Sequence, residues 1–156
     1  MGILLHNKRK KVRKVVVYDS WTGNTKKIAE RISQILECDV FKVNKAPLDL
    51  QKRYDVIFLG TPNIRAKPSE ELSKFIDNAN IPKYVVVFVT YGTPIWGIIS
   101  SYFCIREIKN KIIKKGCVFL GKFICPGVHY KFKTYKNRPS EKDFRKLKAF
   151  LEKLLR

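Results

Sequence analysis

The sequence predicts an α/β domain with a doubly wound sheet of five parallel strands and helices on both faces. Short apolar runs alternate with segments of helical periodicity along most of the 156-residue chain. The apolar runs are continuous rather than alternating with polar residues, which is typical of strands covered on both faces. Because parallel strands need crossover connections, the intervening helices are expected on both sides of the sheet.

The strands are predicted at five apolar runs, residues 15–18, 40–43, 56–59, 84–89 and 117–124. The third and fourth runs are followed by Gly60–Pro62 and Thr90–Gly92, turn-forming sequences that are expected to end these strands. Gly121 is expected to split the fifth strand, since a glycine inside a strand weakens it.

The helices are predicted at residues 26–37, after Ser69, around residues 98–112 and after Ser140. Ser69 is a suitable N-cap, and Ser140 with Asp143 forms a capping-box pattern. The third helix is expected to bury one apolar face, formed by Ile98, Tyr102, Ile105, Ile108 and Ile112. The last helix is expected to bury Phe144, Leu147, Leu151 and Leu154.

The chain is strongly basic, with 33 Lys and Arg, 13 Asp and Glu, and a formal net charge of +20. The cations cluster at residues 8–14, 106–115 and 131–138. Such a charge attracts nucleic acid, anionic lipid or acidic protein, although it is also compatible with a merely solvated surface. No known nucleic-acid motif interleaves aromatic residues with these cations, so no specific nucleic acid is expected as a partner.

Residues 1–13 are predicted to form a basic tail or arm, and residues 14–156 a single domain.

Neither a membrane location nor a metal or catalytic site is expected. No apolar run is long enough for a membrane span, and the first residues do not resemble a signal peptide, so a cytoplasmic protein without membrane insertion is expected. The four cysteines form no C-x-x-C pair, so no metal site is expected, and neither His6 nor His129 indicates a catalytic set.

The first strand exit is rich in groups that bind phosphate. Ser20, Thr22 and Thr25 carry hydroxyls, Asn24 carries an amide, and Gly23 allows the backbone to curl closely around an anion. This loop leads directly into a predicted helix, whose first N–H groups are unpaired. The nucleotide-binding patterns G-x-x-x-x-G-K-[ST] and G-x-G-x-x-G are both absent.

The sequence YDSWTGNTKKIAERI resembles the phosphate-loop signature of the flavodoxin family. The matching positions are Tyr18, Ser20, Gly23, Thr25, Ala29 and Ile32. Residues 121–127 and 138–143 are similar to the late strand and last helix of short family members. The resemblance implies the flavodoxin-like strand order 2-1-3-4-5 and non-covalent FMN, whose phosphate would be held by Ser20, Trp21, Thr22, Gly23, Asn24 and Thr25.

In the flavodoxin family the flavin ring packs between two later loops, which correspond here to residues 61–67 and 90–97. The resemblance therefore implies ring contacts from Thr61, Pro62, Asn63, Ile64, Arg65, Thr90, Tyr91, Gly92, Trp96 and Gly97. Tyr91 is favoured as the stacking residue over Trp96, which is alternatively a core or helix-packing residue. Trp21 either covers the ribityl chain or lies on the surface. Arg65 and Lys67 either place positive charge near the ring or point to solvent.

The resemblance implies an FMN-binding carrier that shuttles electrons between redox partners. Family carriers are typically acidic, so this basic chain is expected to dock onto acidic, ferredoxin-like partners. One alternative is an FMN-dependent oxidoreductase acting on a quinone or porphyrinogen, with residues 128–138 as the substrate or docking element. Another is a basic module of the same fold that binds nucleic acid or an acidic protein without flavin.

Overall fold

The computed structural model describes residues 11–155 of the chain. The strands are β1 (Lys14–Tyr18), β2 (Asp39–Lys42), β3 (Val56–Pro62), β4 (Tyr84–Tyr91) and β5 (Val118–Pro126). The helices are α1 (Asn24–Leu36), α2 (Glu70–Asn78), α3 (Trp96–Lys114) and α4 (Glu141–Leu154), with a short 3₁₀ turn at Val43–Lys45.

The five strands form one sheet in the order β2-β1-β3-β4-β5, and every neighbouring pair is parallel. This confirms the predicted fold class and strand order. Two clusters of buried apolar residues lie on opposite faces of the sheet, as the covered strands require. One cluster includes residues of α2 and α3, and the other includes residues of α1 and α4.

The predicted ends of β3 and β4 are wrong, since the pairing continues into the turn-forming residues. β3 runs through Pro62, which pairs with Thr90, and β4 runs through Tyr91, which pairs with Pro126. The fifth strand is not split at Gly121, although the register shifts between Val85 and Val86. Hydrogen bonds to neighbouring strands therefore outweigh the local preferences of glycine and proline here.

The predicted inward face of α3 is wrong in its first two turns. Ile98 and Tyr102 are 40% and 52% exposed, whereas Ser100 and Ser101 are buried. The serines are satisfied locally, because the Ser101 hydroxyl donates to the Gly97 carbonyl over 2.6 Å and Asn63 Nδ2 donates to Ser100 Oγ over 2.6 Å. The prediction holds further along the helix, where Ile105, Ile108 and Ile112 are buried.

The last helix follows the prediction. Ser140 and Asp143 form the capping box. Leu147 and Leu151 are fully buried, and Phe144 and Leu154 pack against the same core cluster.

In the described residues no helix has the length and apolar character that a membrane crossing requires.

Most of the predicted N-terminal tail lies outside the described residues. Within the described part, the Arg13 guanidinium pairs with the Asp55 carboxylate over 3.2 Å. All four cysteines are free thiols, and Cys104 and Cys125 are buried. No group of residues among 11–155 is arranged to hold a metal ion.

Gly60→Ala should destabilise the fold by roughly 1–3 kcal/mol, because a Cβ atom here would overpack the core. Gly60 pairs with Phe88 across the sheet, and an added Cβ would lie 2.1 Å from the buried Phe88 Cζ. Urea unfolding monitored by circular dichroism measures the change.

Gly121→Ala is the matched control, since its added Cβ would make only ordinary contacts, at 3.5 Å or more. Equal midpoints for the two variants would contradict the close packing of Phe88 on Gly60.

Candidate functional site

A cavity of about 600 Å³ opens at the carboxyl edge of the sheet. Its volume lies in the range of small-molecule and cofactor sites. Four loops line it, those that follow β1, β3, β4 and β5. The lining residues are Trp21, Thr22, Asn24, Pro62, Asn63, Ile64, Arg65, Thr90, Tyr91, Gly92, Val128, His129, Tyr130, Lys131 and Phe132.

The loop between β1 and α1 presents unpaired backbone donors. Gly23 precedes α1 with φ of 92°, a left-handed conformation that glycine adopts without strain. Ser20 Oγ lies inside this turn and accepts from the N–H groups of Gly23 and Lys26. Among residues 11–155, no acceptor faces the N–H groups of Trp21, Thr22, Asn24 and Thr25.

The start of α1 differs from that of α2 and α4, which carry their own anionic or hydroxyl caps. Ser69 caps α2, and α4 has the capping box with Asp143. By contrast, α1 has no side-chain cap and no acidic residue in its first turn. Because the N-terminal end of a helix carries partial positive charge, an external anion would be stabilised at this position.

The Asn24 amide is not available as a phosphate donor. Its Nδ2 donates to the Val128 carbonyl over 2.9 Å and to Thr22 Oγ1 over 3.0 Å. Gly127 packs so closely on this side chain that a Cβ there would lie 2.4 Å from Asn24 Cγ. The predicted role of Asn24 as a donor is therefore corrected, since its amide joins the first and last loops of the site.

Thr25 is also engaged within the protein. Its hydroxyl is buried and lies 2.8 Å from that of Thr90, near the end of β4. Ser20 and Gly23 shape the loop without lining the cavity, whereas Trp21 and Thr22 line it. Backbone N–H groups, rather than the predicted set of side chains, are thus the main free donors.

The loop after β3 is a tight turn. Ile64 and Lys67 exchange two backbone hydrogen bonds, and Arg65 and Ala66 between them have φ of 50° and 70°. Strained non-glycine residues of this kind tend to occur at functional sites. Arg65 lines the cavity and Lys67 does not.

Thr61 lies outside the cavity, although the sequence predicted a ring contact. It is fully buried, and its hydroxyl accepts from the Ser69 N–H over 2.9 Å and donates to the Pro62 carbonyl. Thr61 therefore connects β3 to the start of α2. Pro62, Asn63 and Ile64 do line the cavity, as predicted.

The loop after β4 brings Tyr91 and Gly92 to the cavity. Burial, with a smaller effect of Tyr135, raises the pKa of Tyr91 to about 12, so its hydroxyl is protonated near neutral pH. Trp96 is 59% exposed and lies outside the cavity, so it is not a core residue. Gly97 lies beneath Tyr91, where a Cβ would be 2.8 Å from the Tyr91 ring.

The loop after β5 supplies five lining residues that were not predicted as cofactor contacts. The His129 ring stacks on both Tyr130 and Phe132, with centroids 4.8 and 4.7 Å apart. Its Nδ1 accepts from the N–H groups of Lys131 and Phe132, which leaves the proton of the neutral ring on Nε2. The sequence has one feature that indicates these contacts, namely three rings within four residues after a strand. From the sequence alone these rings are assigned only to a substrate or docking element.

An ion pair fixes the far end of this loop. The Arg138 guanidinium donates to both carboxylate oxygens of Asp143, and the Ser140 N–H donates to the same carboxylate over 2.8 Å. Burial alone would raise the pKa of Asp143, but the hydrogen bonds from Arg138 and Ser140 outweigh it, so the pKa lies below its usual value of 3.8. Asp143 is therefore a buried, ionised anchor.

The residues at this edge fit a polyhydroxylated phosphate ester such as FMN. Two buried side-chain oxygens among the described residues have no partner, Asp19 Oδ2 and Asn24 Oδ1. Asp19 belongs to the loop after β1 and Asn24 to the start of α1, but only Asn24 lines the cavity. An unsatisfied buried acceptor costs about 1–3 kcal/mol, so a ligand hydroxyl at Asn24 Oδ1 would be stabilising.

A cavity beside an uncapped helix, at the carboxyl edge of a doubly wound sheet, is typical of phosphate-containing cofactor sites. The family comparison agrees with this class, because the flavodoxin domain model matches residues 15–152. The chain belongs to the flavodoxin domain family.

Two relatives and two solved structures show the extent of the similarity. An uncharacterized protein of Methanocaldococcus jannaschii is 33% identical over 140 residues, which cover 85% of this chain and 91% of that protein. The flavodoxin-like domain-containing protein BilS of Clostridioides difficile is 35% identical over 124 residues, 74% of this chain and 66% of BilS.

The structural comparisons show the same fold. A flavodoxin from the domain Archaea has a TM-score of 0.66 at 22% identity, over 92% of this chain and 96% of that one. The general stress protein 14 of Treponema denticola, solved in complex with FMN, has a TM-score of 0.66 at 12% identity, over 91% of this chain and 99% of that one.

Asp143→Asn should destabilise the protein by roughly 1.5–3 kcal/mol near neutral pH, because the hydrogen bonds of Arg138 lose their charged acceptor. Since the pKa of Asp143 is lowered by folding, its contribution is present above the usual carboxyl range and is lost as pH falls through the folded pKa. The difference between variant and wild type should therefore shrink below about pH 4. Urea unfolding across this pH range measures it.

Glu30→Gln serves as the control, because Glu30 forms an exposed pair with Lys26 at 3.8 Å. This change should cost less than about 0.5 kcal/mol at every pH tested. A difference for Asp143→Asn that stays constant down to acid pH would contradict the assignment of an ionised anchor.

Proposed function

We propose that this protein binds FMN non-covalently in the cavity and carries electrons between redox partners. The observation that carries the proposal is the set of unpaired N–H groups at the start of α1, within the signature loop of the family. Membership of the flavodoxin domain family and the FMN complexes of similar folds support the cofactor. FMN supplies the redox chemistry, since it accepts and releases electrons.

The residues of the chain bind and orient the cofactor. The N–H groups of the β1–α1 loop would hold the phosphate, and Asn24 Oδ1 would accept from a hydroxyl of the ribityl chain. Tyr91 and the stacked rings around His129 offer apolar faces to a planar ring. Electron transfer requires no nucleophile or general acid from the protein.

The physiological partners are proposed to be acidic proteins of ferredoxin type. The chain has a net charge of +20, so association with an acidic surface would be accelerated at low ionic strength. Lys131, at the rim of the cavity, is exposed and forms no ion pair among residues 11–155. A partner that approaches the cavity would therefore meet uncompensated positive charge.

A second candidate is an FMN-dependent oxidoreductase for a small planar substrate, such as a quinone or porphyrinogen. The observation that favours it is the stack of Tyr130, His129 and Phe132, in which Tyr130 and Phe132 are exposed at the rim. Such rings can pack on a planar molecule as well as on a protein. Catalytic turnover with a free quinone, at rates beyond those of free FMN, would favour this candidate over the carrier.

Thr22→Glu should weaken FMN binding at least about tenfold, because a carboxylate at the start of α1 would compete with the phosphate. Riboflavin, which lacks the phosphate, should bind wild type and variant equally. Quenching of flavin fluorescence on titration with protein measures both affinities.

Thr22→Gln is the matched control, since it has a similar size but no charge, and it should stay close to wild type. An acidic residue near a helix N-terminus is stabilising, so Thr22→Glu is expected to remain folded. Equal affinity of the wild-type protein for FMN and riboflavin would exclude the phosphate site at this loop.

Arg65→Glu should lower the midpoint potential of the bound flavin. A positive charge near the cofactor favours the anionic reduced form, and its reversal removes that effect. Lys67→Glu makes the same change in charge in the same turn but outside the cavity, so its effect should be smaller. Spectroelectrochemical titration measures both potentials, and a larger shift for Lys67→Glu would contradict the position of Arg65 beside the flavin.

A further inference from the structure

The outward face of α3 is strongly apolar at its N-terminal end. Ile95 immediately before the helix and five residues in its first two turns are 40–74% exposed. These residues, here termed the α3 patch, are Ile95, Trp96, Ile98, Ile99, Tyr102 and Phe103. Apolar side chains at this spacing form one continuous stripe along a helix.

The polarity of these two turns is the reverse of that expected for a helix exposed to water. The polar residues Ser100 and Ser101 face the core, and large apolar residues face outward. A helix whose outer side is apolar is usually covered on that side. Contiguous exposed apolar patches are characteristic of interaction sites, and none of residues 11–155 covers this one.

The same helix becomes cationic towards its C-terminal end. Arg106, Lys109 and Lys114 are exposed there, and none of them forms an ion pair among residues 11–155. Lys122 on β5 lies beside the α3 patch, with its Nζ 5.7 Å from the centre of the Tyr102 ring. The outer surface of α3 thus has an apolar end and a cationic end along one axis.

This arrangement does not fit a membrane surface or a second copy of the chain. A helix that lies on a membrane separates its apolar and charged residues around its circumference, so that they reach different depths. On α3 the separation runs along the axis, and a flat bilayer would meet both at one depth. A second copy would bring another net charge of +20 to the interface.

We propose that the outward face of α3 is the docking surface for a protein partner whose contact region has an apolar part next to a cluster of carboxylates. The α3 patch would bury the apolar part, and Arg106, Lys109 and Lys114 would pair with the carboxylates. This inference rests on the proposed function only where it identifies the partner as an acidic redox protein.

The docking surface adjoins the cavity but does not form part of it. The first turn of α3 packs beneath Tyr91, which lines the cavity, through the close approach of Gly97. No residue of α3 lines the cavity itself. A partner on this face would therefore lie near the cofactor, while substitutions on the face leave the cofactor contacts intact.

The test is calorimetric titration of the full chain with an acidic plant-type ferredoxin as the probe. One variant removes part of the α3 patch, Tyr102→Ser with Phe103→Ser, and another reverses charge at the cationic end, Arg106→Glu with Lys109→Glu. The matched control, Lys142→Glu with Lys148→Glu, makes the same change in charge on α4, which covers the other face of the sheet. All substituted side chains are exposed, so folding should be retained.

The expected result is binding by wild type, a loss of at least about tenfold in both α3 variants, and less than about a threefold change in the α4 control. Absence of ferredoxin binding by wild type, or equal binding by all variants, would overturn the proposal. So would association with phosphatidylglycerol vesicles, or dimerisation in sedimentation equilibrium, that the α3 substitutions abolish.

FMN titrations of the same proteins separate this inference from the proposed function. The α3 variants should bind FMN as wild type does, because their substitutions lie outside the cavity. If no protein retained FMN, the proposed function would fail, yet the calorimetric comparison of wild type, α3 variants and α4 control would still decide whether α3 is the docking surface.

Discussion

The parallel pairing of all five strands is the constraint on which the candidate site depends. Parallel strands place their carboxyl ends at one edge, so four loops that are far apart in sequence converge there. Two long-range bonds hold them together. The Thr25 and Thr90 hydroxyls join the start of α1 to the end of β4, and Asn24 joins the start of α1 to the loop after β5 across 104 positions of sequence. The cavity is therefore a product of the whole sheet.

Because the loops converge, side chains and backbone N–H groups have different roles at the start of α1. The side chains of Asn24 and Thr25 are used to tie loops together, so the backbone is left to provide free donors. Backbone N–H groups lose no side-chain rotamer entropy when they bind a ligand, and the position of α1 fixes their direction. The stable anchor formed by Arg138 and Asp143 holds the opposite loop, which carries the stacked rings.

The strand cores and the strand order followed from continuous apolar runs and from the resemblance, while the errors came from competing signals. Pro62 and Tyr91 lie in turn-forming sequences, yet their ladders continue because neighbouring strands offer partners. In α3 two apolar stripes compete, and periodicity alone cannot show which faces inward. The answer depends on Asn63, which satisfies the buried Ser100 from another loop. The orientation of Asn24 likewise depends on Val128, so local sequence could not reveal it.

The exposed α3 patch has a consequence for how the protein behaves alone at high concentration. An apolar face of this kind favours contact between identical molecules, whereas a charge of +20 on each molecule opposes it. The repulsion has a range of about 8 Å at physiological ionic strength and becomes shorter as salt is added. The positive net charge thus keeps identical molecules apart by repulsion. The α3 patch remains accessible to a molecule of opposite charge.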